Sequence, residues 1–212
     1  MNDKPIICWV IALKAEAKPI IAYFKMSRIN HFSGFDIFGD RERNNLLIIS
    51  GVGQSNSTWA TQLLREENNA MAWAGFINLG IAGHGTANNG TLFLVDKITS
   101  RDSSECIYPS VVIAKNMPRA ELITSDCPET DYNSNTLFDM EGYGFFQAAS
   151  KQSSKELVLL LKIVSDGPGA SLESLTAKNV SSLIFQNIDS IIAVSEKLRS
   201  ISDFEARRLS RP

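Results

Sequence analysis

The chain has 212 residues, 44% of them hydrophobic, and a formal net charge of -2. That length and composition suit one domain with a sizeable core. The near-balanced charge excludes a basic field for nucleic acid and a lysine-rich tract for a membrane surface. The apolar run PIICWVIAL is too short to cross a bilayer and lacks the charged start and cleavage site of a signal peptide, so a cytoplasmic protein is expected. Cys8, Cys106 and Cys127 stand at unrelated spacings and read as free thiols of a reduced compartment. With His31 and His84 as the only histidines and no close Cys/His pair, neither a metal site nor a cofactor is expected.

In chain order, strand-like and helical periods alternate. A strand is expected over 6–13, a helix over 15–25, a strand over 46–50, a helix over 55–68 and strands over 75–80 and 91–99. A helix over 140–150, a strand over 156–165 and a helix from 172 to about 199 follow. LLIIS and LVLLLKIVS are apolar at nearly every position, as central strands covered on both faces are. The class is therefore α/β with a buried, mixed sheet. The stretch 101–136 is rich in Ser, Asp, Pro and Asn, contains one strand-like piece, IYPSVVIA, and is too long for a simple connection. Such loops shape binding sites. The tail DFEARRLSRP is charged and is expected to fray.

Ligands of open α/β sheets lie beyond the carboxyl ends of the strands, so the residues just after each strand carry the information. In VIALKAEAKPII, Glu16 falls in the first turn of a helix, where the dipole alone favours an acid. In IISGVGQSNS, Gly51 and Gly53 make a tight turn before a helix capped by Ser55 or Asn56, which is neither a Walker loop nor a dinucleotide fingerprint. In FINLGIAGHG, Asn78 lies near a strand end and His84 just beyond it, as a hydrogen-bonded surface side chain rather than a base. In LLKIVSDGPG, Asp166 is either turn chemistry or an acid at a half-buried strand end. In NTLFDMEGYGFFQAAS, Asp139 suits an N-cap and Glu141 a first turn. Gly142 and Gly144 there each weaken a helix by roughly 1 kcal/mol against Ala, which implies a close approach.

IALKAEAKPI, SGVGQSN, INLGIAGHGTANNGTLFLVDKI, DMEGYGFFQAAS and VSDGPG together, in that order over nearly the whole chain, resemble the nucleoside phosphorylase superfamily. Within it they resemble the 5'-methylthioadenosine/S-adenosylhomocysteine nucleosidases and their relatives. The resemblance implies a single three-layer α/β/α domain with a twisted, partly closed mixed sheet, assembled into homodimers or higher oligomers. It implies a purine nucleoside as small-molecule ligand, with Glu141 on the ribose hydroxyls and Met140 against the sugar. Asp166 then protonates N7 of the base, Ser165 orients it, and Glu16 activates the attacking water. Gly53, Asn78 and Ile81 complete the implied binding set. The implied chemistry is N-glycosidic cleavage by water: the base must leave neutral, which calls for a protonated acid at one end and an ionised one at the other.

Phosphorolytic relatives hold phosphate with an arginine where this chain has Asn78, a hydroxyl residue where it has Ile81, and a glycine-plus-arginine loop after the first strand. This chain has none of the three, which favours water over phosphate, with Arg41 or Arg43 of a neighbouring subunit as the route by which phosphate would still be held. The aromatic adenine loop of the nucleosidases has no clear counterpart in ITSDCPETDYNSNT, where Asp126, Thr130 and Tyr132 either join the base pocket or stand in a solvated loop. Phe145 and Phe146 face either a hydrophobic 5' group or the core.

Overall fold

The computed structural model describes residues 6–66, 72–110, 112–114, 116–129, 132, 134–168 and 175–209. A parallel trio forms the centre of the sheet: β1 (Ile7–Ile11) between β4 (Asn45–Ile49) and β5 (Gly75–His84). Their residues alternate between two cores. Cys8, Val10, Leu46 and Ile48 pack on one face with α2 (Gln54–Glu66) and α3 (Gly142–Ser150). Trp9, Ile11, Leu47 and Ile77 pack on the other with α1 (Lys14–Tyr23), α4 (Ala177–Gln186) and α5 (Ile188–Leu209). This is why the strands read as continuous apolar runs: both faces are covered.

Beyond β5 the sheet closes on itself. β10 (Val158–Asp166) runs parallel to β5 and antiparallel to β6 (Leu92–Ser100). β8 (Arg119–Thr124) pairs with β6, and β9 (Leu137–Asp139) joins β8 back to the end of β5 at Gly83 and His84. The mixed, partly closed sheet expected from the sequence is therefore present, with its strand ends β5, β9 and β10 meeting at one place.

Several expectations need correction. The piece IYPSVVIA is not a strand: β7 is only Cys106–Ile107, followed by a 3-10 turn at Val112–Ala114. The strands of this region are β8 and β9. A hairpin of β2 (Ser27–Phe32) and β3 (Phe35–Gly39) extends the sheet past β4, turning through Ser33 and Gly34, whose φ values are 51 and 88. The helix expected from 172 is two, broken at Asn187, whose amide donates to Gly90 O and Leu183 O; positions 172–174 lie outside the described residues. The charged tail does not fray at 203–209 but continues α5, with Ser202 hydrogen-bonded to Trp73 O and Ala206 buried. Among the described residues no helix is long and apolar enough to cross a membrane.

Candidate active site

The loop after β1 leads into α1 with Leu13 at the N-cap and Glu16 at the third helical position. Leucine has no oxygen to cap the helix, so only the return half of a capping box exists: Leu13 N–H donates to Glu16 Oε2 at 2.8 Å. The other carboxylate oxygen, Oε1, accepts from Ile81 N–H of β5, also at 2.8 Å. Glu16 is thus more than a first-turn acid. It bridges α1 to the mouth of β5 and is 2% exposed.

The stretch DMEG folds differently from the expected cap. Asp139 ends β9, and Glu141 takes the N-cap position of α3, its carbonyl accepting Phe145 N–H at 3.0 Å. Asp139 still reaches forward, its Oδ2 accepting Gly142 N–H at 2.8 Å. Glu141 leaves its own helix uncapped and turns its Oε1 to Gly53 N–H at 2.8 Å. Gly53 supplies that donor at φ +106, backbone that L side chains rarely adopt. It also provides the carbonyl for the first bond of α2, which opens at Gln54; neither Ser55 nor Asn56 caps that helix.

A buried lysine, unnoticed in the sequence, joins these acids. Lys162 lies in β10 between Leu160 and Val164, on the face that packs α3. Its Nζ is 2.7 Å from Asp139 Oδ2, and both side chains are 1% exposed. Asp139 Oδ1 is in turn held by the Thr124 hydroxyl at 2.7 Å. A Cβ at Gly80 would stand 3.1 Å from Glu16 Oε1 and 3.5 Å from Lys162 Nζ, so a bare glycine lets the two charged groups share the floor. Burial raises the Glu16 pKa to about 7 against its two backbone bonds and the attraction of Lys162. Burial, then the charge of Asp139, raises Glu141. Burial alone would lower Lys162, but Asp139, Glu141 and Glu16 outweigh it and hold the ammonium above its usual value.

Glu16, Ile81, Met140, Glu141, Ser165 and Asp166 line one cavity of about 150 Å³. Both oxygens of Asp166 accept hydroxyls, Oδ1 that of Ser165 and Oδ2 that of Tyr132. Tyr132, an open alternative in the sequence, therefore stands in the cavity, as do Cys127 and Glu129 from the same loop. Asp126 is instead exposed and bonded to Gln54; Thr130 lies outside the described residues. Asn78 is not brought to the cavity: it is buried within β5 with its amide on Val10 O at 3.0 Å. Gly53 acts through Glu141. His84 is buried, not at the surface; its Nδ1 accepts the N–H groups of Thr86 and Ala87 at 3.0 and 2.9 Å while its ring stacks on Phe93. Phe145 and Phe146 belong to the core under α3.

The missed lysine had a signal. A cation where strand alternation calls for an apolar residue demands buried carboxylates around it.

Neither protein-family models nor curated protein sequences yield a match to this chain. Solved structures do. The 5'-methylthioadenosine nucleosidase of Arabidopsis thaliana is 20% identical, with a TM-score of 0.76 over 92% of this chain and 97% of that one. The 5'-methylthioadenosine/S-adenosylhomocysteine nucleosidase of Helicobacter pylori is 13% identical, with a TM-score of 0.74 over 92% and 99%. The futalosine hydrolase of Helicobacter pylori is likewise 13% identical, with a TM-score of 0.73 over 92% and 99%. All three cover nearly the full length of both chains, and this protein shares their fold.

Proposed function

We propose that the protein is a purine nucleosidase that cleaves the N-glycosidic bond of an adenosine-type nucleoside with water. The observation that carries this reading is the meeting of Glu16, Glu141 and Asp166, from three distant parts of the chain, around one cavity. In this reading the base lies against Asp166, which gives N7 its proton as the C1'–N9 bond breaks, so the purine departs neutral. Glu141 keeps Gly53 N–H on Oε1 and has lone pairs left for the ribose hydroxyls. Met140 packs on the sugar. Water adds to C1' as Glu16 accepts its proton; the products are free base and free sugar, and the two acids exchange protons with solvent before the next turnover. A Glu16 pKa of about 7 suits that task, since a base works best when its pKa lies near the working pH. The nucleosidase and hydrolase names of the structural neighbours point the same way.

Incubation of the purified protein with adenosine and inosine derivatives, with and without phosphate, tests the proposal by release of free base. Release without phosphate is expected. Strict phosphate dependence would make the protein a phosphorylase, and tight binding without release would make it a binding module. Asp166→Asn should lower turnover by about two orders of magnitude or more while nucleoside affinity largely persists; undiminished turnover would remove Asp166 as the acid.

A further inference from the structure

Tyr132 lines the cavity and has no part in the proposed reaction. Its hydroxyl donates to Asp166 Oδ2, the acid assigned to the purine. Its ring lies over Gly83, where a Cβ would come within 2.3 Å of Cε1 and 2.7 Å of the hydroxyl oxygen, so only glycine admits the ring at this depth. Phe138 meets it edge-on, with centroids 5.6 Å apart at 65°. Burial first, then the bond to Asp166, raises the pKa of the phenol, which therefore stays a donor at any physiological pH. A flat aromatic ring, wedged on glycine and Phe138 and hydrogen-bonded to Asp166, fills the space a planar base would take, with the phenol donating to Asp166 where N7 of a purine accepts. The room left beside it, about 150 Å³, is less than the roughly 300 Å³ at the small end of ligand sites.

We propose that Tyr132 occupies the purine seat of the empty protein, its hydroxyl standing on Asp166 where the leaving base must bind, so that a nucleoside binds by displacing it. The inference rests on the nucleosidase reading and adds a specificity filter to it. A purine that can hydrogen-bond Asp166 through N7 replaces what the tyrosine gives up. A base lacking such a nitrogen loses that bond without return. The affinity of every ligand of the seat is lowered by the strength of the bond it must break.

The test is Tyr132→Phe, which keeps the ring and removes the hydroxyl. KM for the purine nucleoside, and the Kd of its 7-deaza analogue measured by titration calorimetry, should both fall by the same factor. That factor is roughly tenfold to a hundredfold, the worth of one hydrogen bond to a charged group. Unchanged or raised values for both ligands would overturn the displacement. So would weakening of the nucleoside alone, because that pattern means the hydroxyl stays and contacts N7. If neither protein bound or cleaved any purine nucleoside, the nucleosidase reading would fall and this inference with it; cleavage with identical constants in the two proteins would remove the inference only.

Discussion

In the proposed reaction, Glu16 sets stability against turnover. Burial pushes its pKa from 4.5 to about 7, so the folded protein keeps a proton there that the unfolded chain has already released. The sign follows from linkage: where the folded state binds the extra proton, stability falls as pH rises. The contribution is fully present below 4.5 and is lost as pH climbs through about 7. At about 1.4 kcal/mol per pH unit, the loss from about pH 5 to about pH 8 is about 2 to 3 kcal/mol. Glu16→Gln keeps the shape and abolishes the titration. Its single amide oxygen can serve only one of the Leu13 and Ile81 N–H groups, which costs about 1–3 kcal/mol, but equally at every pH. The two stability curves should therefore be offset and differ in slope. In urea unfolding across that pH range, the wild-type protein should lose about 2 to 3 kcal/mol more than the variant. Over the same range kcat/KM of the wild type should climb as Glu16 ionises. Parallel stability curves would refute the argument from burial, whatever the activity does.

Two further substitutions probe the site's foundations. Lys162→Met leaves Asp139 buried without its cation and should cost about 3–5 kcal/mol in urea unfolding, whereas adding Asp139→Asn to it should recover much of the loss. Gly144→Ala should lower the melting temperature even though alanine favours the helix by about 1 kcal/mol, because its Cβ would fall 2.5 Å from Gln54 O and push α2 from α3. A rise in melting temperature would mean that those helices can separate freely.

What the sequence could express depended on how local each feature is. Glu16, Glu141 and Asp166 were legible because each sits beside a strand end within a motif of a few residues. The glycines of MEGYG announced a close approach: α2 comes up to Gly144, while the side chains of Leu122, Leu160 and Asp139 crowd Gly142. β8 and β9 were not legible: RAELIT carries charges on a half-exposed strand, LFD is three residues long, and β9 closes on β5 from a distant part of the chain. The β2–β3 hairpin had its Ser-Gly turn signal, but β2 is almost wholly exposed and so shows no apolar alternation. Asn78 shows the limit of a motif. The position is right along the strand, yet the side chain is spent on Val10 O inside the sheet.

The charge around the cavity bears on the choice of nucleophile. Glu16, Asp139, Glu141 and Asp166 surround or adjoin it, and Lys162 is already committed to Asp139. Arg101, over the Phe138 ring, pairs with Glu129. Arg41 and Arg43 precede β4, at the opposite end of that strand from Gly51 and Gly53. A phosphate dianion would need a free, desolvated cation and would add negative charge beside carboxylates whose pKa values burial has already raised. Water has no such requirement: in the proposed reaction Glu16 takes its proton while Asp166 gives one to the base. In the proposed reaction the excess of acid over base that makes this site expensive to bury is therefore the property that favours water over phosphate, and added phosphate should leave the rate of base release unchanged.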